Sequence, residues 1–107
     1  MDLNKLFEQG TGFEWDEGNL KKNWVKHHVS AAECEQAFFN EPLQVFEDVM
    51  HSEHERRFNA LGRTDAGRRL FVVFVTRKNW VRVLSARDMS RKERKEFRIY
   101  EKENPAF

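Results

Sequence analysis

Six consecutive apolar residues, Leu70-Phe71-Val72-Val73-Phe74-Val75, lie between Arg69 and Arg77. A run so continuously apolar reads as a central β-strand covered on both faces, so the chain has to place cover on each side of a sheet. The flanking sequence supplies neighbours for that strand. Residues 57 to 64 alternate as a strand, and Asp65-Ala66-Gly67 makes a turn into the apolar run. Lys78-Asn79 turns the chain into a further strand over residues 80 to 86. Three strands joined by short turns predict an antiparallel meander.

Helices are expected on either side of the meander. Phe13-Glu14-Trp15 alternates as a short strand, and Asp16 is placed as the N-cap of a helix from about residue 17 to 27. Leu20 and Trp24 are expected to form its buried stripe, with Asn19, Lys22 and Lys26 on another face, which sets two lysines in one row. Ser30 and Glu33 have the spacing of a capping box for a second helix through Cys34, Ala37 and Phe38, stopped by Asn40-Glu41-Pro42. Leu43 to Phe46 then reads as a strand and residues 48 to 55 as a charged connection. A second capping box, Ser90 with Glu93, opens a last helix through Phe97 and Tyr100 that is dense in Arg91, Lys92, Arg94, Lys95 and Arg98. The expected fold class is α+β: N-terminal helices packed on an antiparallel sheet with a C-terminal helix. At 107 residues there is room for one domain, read as residues 13 to 107 behind an extension of residues 1 to 12 that ends in Gly10-Thr11-Gly12.

A hydrophobic content of 39%, with 10 Phe and 3 Trp, suffices for a core despite 35% charged residues. Cys34 is the only cysteine, which excludes an intramolecular disulfide and a cysteine-based zinc site and suits a reducing compartment. The N-terminus lacks the order of a secretory signal, and no apolar run approaches the ~18 residues of a membrane span, so a cytoplasmic protein is expected. No nucleotide-binding glycine loop is present. His27-His28, His51 and His54 match no strong ligand spacing, so neither a metal nor a cofactor is expected.

Charge is divided along the chain. Residues 1 to 54 hold 4 Lys+Arg against 11 Asp+Glu, and residues 55 to 107 hold 15 against 7, with all 11 arginines in this second part. Arginine clamps phosphates in a fork geometry and stacks on bases, so nucleic acid is the first partner to consider. Within that basic set Lys22 and Lys26 share a helix, Arg63 ends one strand, Arg82 lies on the last strand and Arg87 follows it. Alternation along the last strand sets Val81, Val83 and Ser85 on one face and Arg82, Leu84 and Ala86 on the other. A row of cations stabilises a phosphate undergoing transfer, and an RNA 2′-hydroxyl can be the nucleophile. The plain reading of each lysine is a solvated helix face, and of each arginine an ion pair with a nearby carboxylate.

Phe13-Glu14-Trp15-Asp16, Asn23-x-x-Lys26-His27, Val29-Ser30, Asn40-Glu41-Pro42-Leu43, His51-Ser52-Glu53-x-Glu55-Arg56, Leu61-Gly62-Arg63-Thr64, Leu84-Ser85-Ala86-Arg87 and Arg91-x-Glu93-Arg94 follow one another as in a known family. In this order and spacing the chain resembles the BrnT toxins of bacterial type II toxin–antitoxin systems, from about Phe13 to Tyr100. The resemblance implies a RelE-like ribonuclease fold, mRNA cleavage that arrests translation, and neutralisation by a BrnA-type antitoxin with a ribbon-helix-helix domain. Operator DNA would be bound through that antitoxin. It also implies a basic functional set at Lys26, Arg63 and Arg87, with Lys22 and Arg82 as further members. The base that takes the 2′-hydroxyl proton stays open: His27 is a candidate because histidine titrates near neutrality, and a structural histidine is the other reading. Two positions depart from the family pattern. Asn19 stands where relatives usually carry lysine, and His28 stands where they usually carry a helix-ending glycine. The rival functions are a non-catalytic module that binds RNA or a partner, and a toxin relic kept as an antitoxin-binding scaffold.

Overall fold

A computed structural model describes residues 12–78 and 80–105. The expectations for residues 1–11 and for Asn79 lie outside the described residues. The elements run β1 (Phe13–Glu14), α1 (Glu17–His27), α2 (Ala31–Phe39), β2 (Gln44–Glu47), β3 (Arg57–Arg63), β4 (Arg69–Arg77), β5 (Trp80–Asp88) and α3 (Arg91–Glu103), with a 3-10 turn at Val49–His51. The strands form one sheet in the order β1-β5-β4-β3-β2, so the apolar run of β4 is its centre.

Each helix starts where its cap predicts. The Ser30 and Ser90 hydroxyls accept the Glu33 and Glu93 backbone N–H groups, and both glutamates reach back to the cap N–H. The Asp16 carboxylate accepts the Asn19 N–H at 3.0 Å. Such caps satisfy donors that the first helical turn would otherwise leave open.

Two apolar layers cover the sheet. On one face Leu70, Val72 and Phe74 of β4 join Phe58, Ala60, Val81, Val83 and Ala86 beneath Cys34, Ala37 and Phe38 of α2. Phe38 meets Phe74 edge-on with ring centroids 5.0 Å apart, and Phe58 stacks on the same ring at 5.5 Å. Fully burying one such ring contributes about 2–3 kcal/mol. Gly62 lets α2 come this close, because a Cβ there would lie 2.7 Å from the Ala37 carbonyl oxygen. Burial pushes the Cys34 thiol up to about 12, so it stays protonated within this layer. On the opposite face Leu61, Phe71 and Met89 receive Phe97 and Tyr100 of α3.

Three sequence expectations need correction. The sheet is mixed, because β1 pairs in parallel with β5 through Phe13↔Val81 and Glu14↔Arg82. The other pairings are antiparallel. A two-residue strand that pairs with a distant one carries no local signal of direction. Next, the register between β4 and β5 slips: Phe74 pairs with Val83 and Val73 with Ser85, which leaves Leu84 as the extra residue of a bulge. Ala86 therefore turns to the core face with Val81 and Val83 rather than sharing a face with Arg82.

The third correction concerns α1. Trp24 is 54% exposed, and the residue that α1 buries completely is Asn23. The helix lies along the edge of β5, where β1 pairs with Val81 and Arg82 and leaves the strand beyond them open. There Asn19 Nδ2 donates to the Val83 carbonyl at 3.4 Å, Lys22 Nζ donates to the Leu84 carbonyl at 3.2 Å, and Asn23 Oδ1 accepts the Ala86 N–H at 3.2 Å. An open strand edge needs hydrogen-bonding partners, so polar side chains occupy the inward face of α1.

Candidate functional site

The cations named from the sequence distribute over two regions. Arg82 faces β1, with Nη1 3.4 Å from Glu14 Oε1 and Nη2 3.1 Å from Asp16 Oδ2. It thus helps hold the capped start of α1, five residues before Arg87 and about 15 Å from it along the strand. Lys22 lies between these positions, its ammonium donating one hydrogen bond to the bulged Leu84 carbonyl at 3.2 Å. Lys26 projects one turn later from the same side of α1 and is exposed, with no hydrogen-bonding or ion-pairing partner among the described residues.

The other named groups gather at the end of the sheet where β3, β5 and α1 finish. Arg87 is held by Glu93 through two parallel bonds of 2.8 and 3.0 Å, and its guanidinium carbon lies 4.3 Å from the centre of the Phe71 ring. Burial opposes the charge on Glu93, but the Arg87 guanidinium and the Ser90 N–H overcome it and hold the carboxyl below its ordinary pKa. Arg63 Nη1 lies 3.2 Å from Glu101 Oε2, and Nη2 donates to the Glu41 carbonyl at 2.8 Å. Arg63 also lines an open cleft of about 510 Å3 with Phe39, Asn40, Glu41, Thr64, Asp65 and Gly67.

Arg68, which the sequence reading did not single out, joins these parts. Its Nε and Nη2 take the two carboxylate oxygens of Asp88, Nη1 takes Glu33 and the His28 carbonyl, and Nη2 also takes the His27 carbonyl. All five of its N–H donors are engaged. One side chain thereby ties the end of α1, which carries Lys26 and His27, to the start of α2 and the end of β5. The signal for it was available only as charge: an arginine beside the Asp65-Ala66-Gly67 turn has no local partner, and its acids lie 20 and 35 residues away.

The division of charge along the sequence resolves in the same way. Acids of the first half pair with arginines of the second, as Glu14 and Asp16 do with Arg82, Glu33 with Arg68, and Glu47 with Arg56. α3 divides its own charges. Its inward carboxylates Glu93 and Glu101 hold sheet arginines, while Arg91, Lys92, Arg94, Lys95, Arg98 and Lys102 carry no ion pair among the described residues. Chemically, the end of the sheet carries guanidinium forks of the kind that recognise phosphate or carboxylate, engaged here by Glu93 and Glu101, beside a helix whose outer cations carry no ion pair among the described residues.

Among the described residues no group of three or more His, Cys, Asp or Glu could hold a metal ion, and no helix is long and apolar enough to cross a membrane. His51 pairs with Asp48 at 2.9 Å on the surface, at the Arg57 end of β3 rather than its Arg63 end.

Residues 15–93 match the family model described as the ribonuclease toxin BrnT of type II toxin–antitoxin systems. The crystal structure of the Brucella abortus ribonuclease toxin BrnT aligns with 76% of this chain and 99% of that chain, at 23% identity and a TM-score of 0.58, which shows a shared fold. No curated protein sequence matches the chain.

Proposed function

The chain belongs to the BrnT family of ribonuclease toxins of type II toxin–antitoxin systems, and on that premise we propose that it is a RelE-like endoribonuclease that cleaves mRNA in the cytoplasm and arrests translation. The observation that carries this reading is the Arg68 guanidinium, which bonds the His27 and His28 carbonyls and the Asp88 carboxylate and so ties the end of α1 that carries Lys26 to the end of β5 that carries Arg87. In the proposed reaction the RNA 2′-oxygen bonds to phosphorus and the P–O5′ bond breaks. A 2′,3′-cyclic phosphate and a 5′-hydroxyl result, with one proton taken from the 2′-hydroxyl and one given to the 5′-oxygen. No metal is required, because the cations stabilise the charge that develops on the phosphoryl oxygens. Lys26, Arg63 and Arg87 take this role. Lys22, Arg82 and the outer face of α3 favour the flanking backbone, and His27 is the candidate proton carrier.

The partner in this reading is a BrnA-type antitoxin whose ribbon-helix-helix domain binds operator DNA. It blocks the toxin by laying acidic side chains across the basic region, where they exclude RNA by like charge. Arg63, Arg82 and Arg87 are each paired with a carboxylate, so RNA has to displace these acids before the arginines engage it, whether it is cleaved or only bound. A toxin relic would trace its lost activity to Asn19, where relatives usually carry lysine, and that side chain donates to the Val83 carbonyl at 3.4 Å.

Growth in cells lacking antitoxin tests the choice. Arg63→Ala and Arg87→Ala are each expected to relieve arrest, since removing one transition-state contact of about 3 kcal/mol slows cleavage about 100-fold. Lys92→Ala, on the solvent side of α3, is expected to remain toxic. Equal toxicity of all three at matched expression would contradict the proposal.

A further inference from the structure

Arg63 and Arg69 are direct cross-strand partners on β3 and β4, and both turn to the α3 face of the sheet. Two like charges placed opposite one another in a sheet repel, so the pair is stable only with an anion between them. Glu101 is that anion. It accepts from Arg69 Nε at 3.2 Å and from Arg69 Nη2 at 3.0 Å through Oε1, and lies 3.2 Å from Arg63 Nη1 through Oε2. The Glu41 carbonyl holds the other Arg63 nitrogen at 2.8 Å and fixes the direction of the fork.

The three charges are not held with equal firmness. Both arginines stand at strand ends within the sheet, whereas Glu101 comes from the last turn of α3, which ends at Glu103. The apolar anchors of that helix, Phe97 and Tyr100, both precede Glu101. A terminal helical turn opens at small cost, while strand pairing does not. Phosphate also satisfies two facing guanidinium forks better than one carboxylate does, because it offers more acceptor oxygens and more charge. Arg87 lies on the same face, diagonal to Arg69 across β4 and β5 at about 7–8 Å between Cα atoms. Neighbouring phosphates of one strand can engage both positions.

From this arrangement we infer that Arg63 and Arg69 form a backbone-phosphate subsite for RNA, which Glu101 fills in the free protein and vacates when RNA displaces the last turn of α3. The inference rests on the ribonuclease reading and adds Arg69 to its contacts. In the free protein Glu101 competes with substrate, so removing its charge strengthens RNA binding even though it weakens an internal ion pair.

The test is a binding titration, over a range of salt, with a short single-stranded RNA whose riboses are 2′-O-methylated and cannot be cleaved. Glu101→Gln is expected to bind about three- to tenfold more tightly than the unaltered protein. Its log–log salt slope should match that of the unaltered protein, because RNA makes the same phosphate contacts once Glu101 has left. Adding Arg69→Ala to that variant is expected to abolish the gain in affinity and to make the slope shallower by about 0.7, the contribution of one phosphate contact. Binding by Glu101→Gln that is unchanged or weaker, in a protein that melts cooperatively, overturns the inference while leaving the ribonuclease reading intact. Should Glu101→Gln not fold, Arg69→Ala alone decides: the inference requires weaker binding and a shallower slope, and an unchanged slope overturns it. No binding by the unaltered protein at low salt overturns the ribonuclease reading and the subsite together.

Discussion

Arg68 and Asp88 form a two-point ion pair, with Nε 2.7 Å from Oδ1 and Nη2 3.1 Å from Oδ2, that joins the turn before β4 to the end of β5. Because the same guanidinium holds the His27 and His28 carbonyls at 2.9 and 2.8 Å, the pair also sets where α1 ends. Lys26 thus owes its place beside the Arg87 end of β5 to a residue that need not touch substrate.

Removing this junction should cost stability before chemistry. Arg68→Ala leaves two backbone carbonyls and two carboxylates without their donor, and the expected loss is about 2–4 kcal/mol after allowing for the exposure of Asp88. Arg68→Lys should recover little of it, since one ammonium cannot reproduce five divergent N–H donors. Urea denaturation checks both values. A loss under about 0.5 kcal/mol for Arg68→Ala would show that the junction is ornamental.

Acid should weaken the fold through the same groups. Hydrogen bonds from Arg68 hold the Asp88 carboxyl below its ordinary value of 3.8. Burial opposes the charge on Glu33, but the Ser30 N–H and Arg68 overcome it and hold that carboxyl below 4.5. A carboxyl with a depressed folded-state pKa adds stability that is complete above its unfolded value and disappears as pH falls through its folded value. Melting temperature is therefore expected to stay level from about pH 7 to about pH 5 and to fall below that. In Arg68→Ala the acid loss should be shallower, with the Glu93–Arg87 pair still contributing. Parallel acid profiles for the two proteins would contradict this assignment.

His28 closes α1 in the left-handed conformation, at φ 53° and ψ 40°, while its N–H satisfies the Asn23 and Trp24 carbonyls. A side chain in that conformation costs about 1–2 kcal/mol, partly offset because glycine has more freedom to lose on folding. His28→Gly is thus expected to raise stability by about 0.5–1 kcal/mol, a gain limited further by the lost edge contact with Trp24 at 5.5 Å. Thermal melting reads the difference, and a lowered midpoint would mean that the Trp24 contact outweighs the backbone strain.

Much of this fold could be read along the chain because its signals are local. Ser30 with Glu33 and Ser90 with Glu93 mark helix starts by spacing alone, and the apolar run of β4 marks the sheet centre. What could not be read depends on partners far apart. The parallel direction of β1, the bulge at Leu84 and the exposure of Trp24 all follow from how α1 and β1 share the edge of β5. The site divides in the same way. Family motifs single out Arg63 and Arg87 by position, but Glu93 is six residues from Arg87 and Glu101 is 32 residues from Arg69, and only the folded chain shows that α3 brings both acids to the sheet.

Cleavage by the purified protein tests the central assignment most directly. A single-stranded RNA incubated with a chelator present should be cut into fragments ending in 2′,3′-cyclic phosphate. Lys26→Ala, whose side chain has no partner to lose among the described residues, should melt within about 0.5 kcal/mol of the unaltered protein and cut about 100-fold more slowly. Cutting by Lys26→Ala at the unaltered rate, or fragments ending in a 3′-hydroxyl, would contradict phosphate activation at this end of the sheet.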